Sequence, residues 1–378
     1  MRSFAPLLLV LLFLPACSTA PPDPPPALAE HAHPLENYDP LIRAIGDAHL
    51  VLLGEATHGT HEFYVERAKI TRRLITEKGF TGLALEADWS DAARVDRYVR
   101  GISEDTTAEA ALGGFDRFPR WMWRNREFAE LVEWIRTHNA SLPANAPKVG
   151  VYGLDLYGME ESREALKQLA NPTTPDEQFQ KEQHERVVRN AEEYYREEQR
   201  GRVSTWNLRD RHMVATMAAL QKYLMRKNGR DHMVVWAHNS HVGDARATSR
   251  ARFQEWNIGQ LTRENWPTGA SFTVGFTTHS GTVMAAHEWG GEPEVQQLRP
   301  SMRGSHGAIF HALAIPSFYL ILKDVEERTV TTPRQQRAVG VIYLPMHEAT
   351  AHYFTATLRE QFDAVIHIDQ TRAVQPLD

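Results

Sequence analysis

Four short apolar runs, each closing on a residue able to do chemistry, constrain this chain more than any other feature. Residues 49–53 (His-Leu-Val-Leu-Leu) lead into Gly54-Glu55, and residues 82–85 (Gly-Leu-Ala-Leu) into Glu86. Residues 149–154 (Val-Gly-Val-Tyr-Gly-Leu) lead into Asp155, and residues 233–237 (Met-Val-Val-Trp-Ala) into His238. Unbroken apolar runs without polar alternation describe strands covered on both faces, as in a mainly parallel sheet. The intervening stretches carry helical periodicity, so the predicted fold class is α/β: a mainly parallel central sheet flanked by helices. Further strands are expected at 271–276, 282–286, 317–322, 339–343 and 364–368. Residues 160–230 are charged and helix-rich, with Met213, Met217, Leu220 and Leu224 at helical spacing, and read as a helical insertion serving as a lid.

The ends of the chain fall outside that pattern. Arg2, the apolar run from Leu7 to Leu14 and the exit Leu14-Pro15-Ala16-Cys17 read as a signal peptide over 1–16. The exit resembles a bacterial lipobox, which implies lipidation of Cys17, export and a membrane anchor on the cell envelope. Cys17 is the single cysteine, so no internal disulfide is available and the fold must rest on its core. Residues 17–36, proline-rich from Pro21, are expected as a tether, and residues 37–378 as one α/β domain. A net charge of −6 and the absence of a Lys/Arg-dense run give no reason to expect nucleic-acid binding.

In open α/β sheets, ligands bind beyond the carboxyl ends of the strands. If the four strands are parallel, Glu55, Glu86, Asp155 and His238 converge on one crevice. The first loop, Gly54-Glu55-Ala56-Thr57-His58-Gly59-Thr60-His61-Glu62, is bracketed by glycines and places His58 at its tip, with Thr60 as the N-cap of a following helix. An imidazole, with an ordinary pKa of ~6.5, suits a general base at neutral pH. In that helix Arg67 falls within the apolar stripe of Phe63, Ile70 and Leu74, and a buried guanidinium there demands a partner, Glu55 or Glu86. His238-Asn239-Ser240-His241 adds two more imidazoles. Phe115, Phe118, Trp121 and Trp123 are candidates for an apolar pocket wall, and His279 and His287 flank a strand that could reach it.

Three chemistries compete for these residues. A serine hydrolase lacks its Gly-x-Ser-x-Gly elbow; the nearest sequence, Gly304-Ser305-His306-Gly307, has the wrong spacing. A metal site could draw on His58, His61, His238, His241, Glu55, Glu62, Glu86 and Asp155, but no His-Glu-x-x-His helix is present. Hydrolysis by a water that His58 activates uses the same groups with fewer assumptions. Glu55 or Glu86 would then orient the imidazole, and Arg67, His238 or His241 would stabilise the oxyanion.

Leu53-Gly54-Glu55-Ala56-Thr57-His58-Gly59 resembles the opening signature of the erythromycin esterase family. The likeness continues through Leu85-Glu86-Ala87-Asp88, Tyr152-Gly153-Leu154-Asp155, the segment Val235 to Asp244, Gly281-Thr282-Val283 and the tail from Gln361 to Ala373. The resemblance implies an α/β hydrolase of ester or lactone bonds, macrolides included, acting without metal or other cofactor on a small-molecule substrate. By motif, His58 matches the base, Glu55, Arg67 and Glu86 the charged residues around it, and His238 and His241 a second histidine pair. Asp155, His287, Trp121 and Trp123 are expected to contact substrate. Gly307 and Ala351 depart from the family pattern, which often has an acidic residue and a serine there. An alternative function is a lipid-anchored envelope protein that binds a metal, haem or glycan without catalysis.

Overall fold

The computed structural model describes residues 26–377. The signal peptide expected over 1–16 and the lipidation expected at Cys17 lie outside the described residues. The described residues form ten strands: β1 Leu50–Leu53, β2 Gly82–Asp88, β3 Gly150–Asp155, β4 Met233–Trp236, β5 Ser271–Ala285, β6 Glu294–Leu298, β7 Ser317–Ile321, β8 Arg334–Arg337, β9 Tyr353–Ala356 and β10 Ala364–Thr371. Eight of them build one sheet in the order β3-β2-β4-β1-β5-β10-β7, with β6 paired to β5 outside that path. From β3 to β10 every neighbouring pair is parallel, and only β6 and β7 run antiparallel. The sheet is therefore mainly parallel and flanked by helices, as the apolar runs predict.

The two faces of β1 show why its run is unbroken. Val51 and Leu53 enter one core with the helix His61–Lys78, while Leu50 and Leu52 enter the other with Met213, Met217, Leu220 and Leu224. Successive strand residues point to opposite faces, so a strand covered twice must be apolar throughout. Leu53 pairs with Trp236 on one side and Val274 on the other, and Leu85 also pairs with Trp236. These strands thus end level, and the residues following them share one rim.

Several expectations need correction. Residues 271–276 and 282–286 belong to one 15-residue strand, β5, which leaves the covered part of the sheet near His279 and continues outward to pair with β6. Residues 339–343 are not a strand. They wrap the β1 loop instead, through the pairs Val339 N–H to Ala56 O (2.9 Å) and His58 N–H to Val339 O (3.2 Å). The tether expected over 17–36 is, from Pro26 onward, docked: Pro26–Glu30 is a helix, Leu28 is fully buried, and His33 bridges Tyr319 of β7.

The insertion expected over 160–230 comprises the helices Met159–Gln168, Pro175–Glu197 and Arg202–Asn228. The second begins with a capping box in which Thr174 and Glu177 satisfy each other's orphan backbone groups. The third is a crossover helix covering the sheet between β3 and β4, so its apolar stripe serves the core. Only its first turns, with Tyr157 and Tyr195, reach over the crevice.

Candidate active site

The rim formed by the level strand ends opens into a cavity of about 580 Å³. The β1 loop enters it under tight constraint. A side chain at Gly59 would collide with the Met284 backbone, and one at Gly54 with Asn239 and β5, so both positions need the close approach only glycine permits. Thr60 takes the N-cap position with extended backbone, yet its hydroxyl meets Thr57 rather than capping the helix. The loop is thereby clamped between β5 and the Val339 segment, and His58 is presented at its tip.

Glu55 lies beneath His58 with no solvent exposure. Its Oε1 is 2.8 Å from His58 Nδ1, and its Oε2 is 2.7 Å from Arg67 Nη2 in a fully buried ion pair. The Arg67 guanidinium also lies over the rings of Tyr64 (4.5 Å) and Trp236 (4.4 Å), so aromatic faces replace the water it has lost. Helical phase left two partners open for Arg67; the partner is Glu55. A carboxylate so placed accepts the Nδ1–H of His58 and leaves Nε2 as the basic nitrogen of a ring that lines the cavity.

Glu86 serves a second histidine. Its Oε2 accepts the backbone N–H of His238 (2.8 Å), and its Oε1 lies 3.1 Å from His241 Nε2 and 2.9 Å from Arg209 Nη2. On its other side, His241 Nδ1 meets Asp210 at 2.9 Å, and the ring stacks on Trp206 at 4.4 Å. Burial opposes ionisation of Glu86, but the charges of His241 and Arg209 hold its carboxyl well below the ordinary carboxylate range. Burial alone would likewise depress His241, yet Asp210 and Glu86 overcome it and hold the imidazole up at about 9. His241 is thus a cation at neutral pH.

That charge carries a prediction. A histidine whose folded pKa exceeds its unfolded value of ~6.5 stabilises the fold fully below that value. The contribution is lost as pH rises toward about 9. The free energy of unfolding in urea should therefore fall between ~pH 6.5 and ~pH 9, at up to about 1.4 kcal/mol per pH unit, more steeply than in His241→Gln. Parallel curves for the two proteins would show that His241 is not the cation.

His238 is buried beside His58, their ring centroids 4.9 Å apart. Burial, reinforced by the neighbouring His58, pushes its pKa well below the histidine range, so the ring is neutral. Its Nδ1 accepts the backbone N–H of Ser240 at 3.2 Å, which places the ring proton on Nε2. With Nδ1 so engaged, the ring's other polar contact is with the Ala56 backbone, and the ring lines the cavity.

Asp155 lines the cavity too, but Arg209 (2.9 and 2.5 Å) and the Leu156 N–H occupy its oxygens, so it anchors Arg209. Trp123 lines the wall with Phe115, Phe118 and Met122, whereas its neighbour Trp121 is turned into the core. His287 is corrected: it stands beyond the end of β5, more than half exposed, facing Glu294 at 3.6 Å, and Trp289 two residues later reaches the cavity in its place. His279 lies outside the cavity as well. His61 pairs with Glu127 (2.6 Å) and Glu62 with Arg372 (2.9 Å), so the eight-residue ligand set considered for a metal is not assembled. Gly307 faces the Thr278 carbonyl where a Cβ would be crowded, and neither it nor Ala351 lines the main cavity.

Arg209, Asp210 and Trp206 were not foreseen. Asp210 carried a usable signal: it precedes Met213, Met217, Leu220 and Leu224 at helical spacing, a charge on an apolar stripe just like Arg67. Asp88, Asp91 and Arg117 form an acidic-basic group at the outer wall, where burial raises Asp88 to about 7 and Asp91 to about 6.

Comparison with known proteins identifies the family and the fold. Erythromycin esterase type II of Escherichia coli is 29% identical over 127 residues, 33% of this chain, and the match spans only 28% of that relative's length. A solved succinoglycan biosynthesis protein superposes with a TM-score of 0.67 at 21% identity, covering 92% of this chain and 96% of the other. A mutant of the erythromycin esterase EreC in its open conformation gives 0.62 at 15% identity, covering 89% and 94%. At such identities the two structures establish a shared fold and nothing finer. The sequence model of erythromycin esterase matches residues 75–171 and 163–371, most of the chain, and with the fold in agreement the chain belongs to the erythromycin esterase family.

Proposed function

We propose that this protein hydrolyses a carboxylic ester or lactone with a water molecule activated by His58. Family membership supports ester hydrolysis in general; the mechanism rests on the site. The observation that carries it is the buried Glu55–His58 pair, which leaves one imidazole nitrogen available in the cavity. His58 Nε2 takes a proton from water as the oxygen attacks the carbonyl carbon. Glu55 stabilises the imidazolium that forms, and Arg67 holds Glu55 in place through their buried ion pair. Charge developing on the carbonyl oxygen meets the Nε2–H of neutral His238, whose ring lines the cavity beside His58. His58 then returns its proton to the departing alkoxide, which closes the cycle. The cationic His241, held by Glu86 and Asp210, supplies a fixed positive field behind His238.

Cavity size and the aromatic wall of Phe115, Phe118, Trp123 and Trp206 suit a drug-sized, partly apolar substrate, and macrolide lactones are the first class to try. The purified protein, in excess chelator, would be incubated with macrolides and with simple aryl and alkyl esters, and mass spectrometry would follow addition of one water. Ring opening of a macrolide is the expected result. Turnover of esters alone would remove the macrolide reading. No water addition to any compound would overturn hydrolysis itself.

A further inference from the structure

Outside the cavity, three metal-ligating side chains from three separate elements meet at one point. His279 comes from β5, Asp369 from β10, and His311 is the last residue of the helix His306–His311. One ligand-capable atom from each lies within 4.8 Å of the others. We propose that His279, His311 and Asp369 bind one divalent cation of the zinc class, which pins this helix to the far end of the β5–β10 pair.

The donor set, two imidazoles and a carboxylate, is one that zinc accepts, with water completing the shell. Tetrahedral binding at ordinary zinc bond lengths puts ligand atoms about 3.4 Å apart. The present spread, up to 4.8 Å, therefore has to contract by as much as about 1.4 Å through side-chain rotation. His311 has that freedom, its side chain being 48% exposed at a helix end. The surrounding contacts are those of an oriented site. His279 Nδ1 is engaged by the Ser301 hydroxyl at 2.7 Å, which leaves Nε2 as the ligand atom. Behind Asp369, the fully buried His367 places Nε2 3.4 Å from the carboxylate and is itself held by the Thr277 hydroxyl at 2.9 Å. Such outer contacts fix ligand direction and tune affinity.

A simple ion pair accounts for less. His311 and Asp369 lie 2.7 Å apart, a partly exposed pair of small energetic value. That pair leaves out His279, whose ring is stacked flat on His311 3.6 Å away, so His311 must swing out of the stack before both rings can point a nitrogen at one ion. Arg337 bonds the His279 carbonyl at 3.0 Å, but its charge is met by Glu348, also at 3.0 Å. None of the three ligands lines the catalytic cavity, so the proposal is independent of the ester reading.

The test is a zinc titration of the chelator-stripped full chain against a chromophoric competitor, with His311→Ala and Asp369→Asn alongside. One tight equivalent is expected in the wild type, weakened roughly 100-fold in both variants, with circular dichroism and hydrolysis unchanged. Zinc should also raise the thermal midpoint of the wild type by a few degrees and leave that of His311→Ala where it was. Absence of a tight equivalent would overturn the proposal. So would an equivalent that survives both substitutions and disappears in His238→Ala, which would assign the metal to the cavity.

Discussion

Replacing His58 with alanine is expected to lower kcat/KM for hydrolysis by roughly 10³–10⁴-fold, with nearly all of the loss in kcat. The side chain lies at the tip of the β1 loop and makes no bond that the fold depends on beyond Glu55, so the variant should fold and bind substrate. What it loses is the proton acceptor for water. A general base contributes about 10²–10⁴-fold, and the upper part of that range applies because no other group is placed to substitute. Glu55 is buried beneath the ring, Glu86 is committed to His241, Arg209 and the His238 N–H, and Asp155 to Arg209. His238→Phe separates the roles. It keeps the base and removes the Nε2–H donor, so kcat should fall by about 10²–10³-fold, as for loss of one oxyanion donor. Activity of His58→Ala within tenfold of wild type would refute its assignment as base.

The rim of this site was legible in the sequence because one physical requirement wrote it there. Strands covered on both faces must be apolar along their length, so the first polar residue after each run marks where the chain leaves the sheet, and in a parallel sheet those points coincide. Glu55, Glu86, Asp155 and His238 were found this way and do share one rim. The Arg67–Glu55 pair was legible for a related reason, since a cation on an apolar helical stripe cannot be buried alone.

Other parts failed for reasons just as physical. The polar interruption His279-Ser280-Gly281 divides β5 into two apparent strands, although the chain only emerges from beneath its helices there and keeps pairing with β10 and β6. Residues 339–343 are apolar because Val339 and Tyr343 are buried in a small satellite core with Val283 and Leu298, which requires burial and not a strand. Trp121 and Trp123 are indistinguishable by composition; which one faces the cavity depends on the short turn Arg120–Met122. Arg209 and Trp206 reach the site across a crossover of more than fifty residues, and nothing local in the sequence reports where such a helix will lie.

The largest stability effect should come from the pair beneath the catalytic histidine. Arg67→Met is expected to lower the free energy of unfolding by about 3–5 kcal/mol, because it leaves the Glu55 carboxylate buried with an unbalanced charge. The methionine fills much of the vacated volume and keeps contact with Tyr64 and Trp236, so cavity formation adds little and the loss reports on charge. The double variant Arg67→Met with Glu55→Gln removes both charges. It should recover a large part of that stability, since exchanging a buried ion pair for neutral groups is often close to neutral overall. Hydrolysis should not recover with it, because glutamine cannot stabilise the His58 imidazolium as a carboxylate does. Urea unfolding of the four proteins of the cycle gives the coupling energy directly. A double variant as unstable as the sum of its parts would mean that Arg67 holds the loop by shape alone. Stability and activity recovering together would mean that Glu55 acts as a structural anchor and His58 works without it.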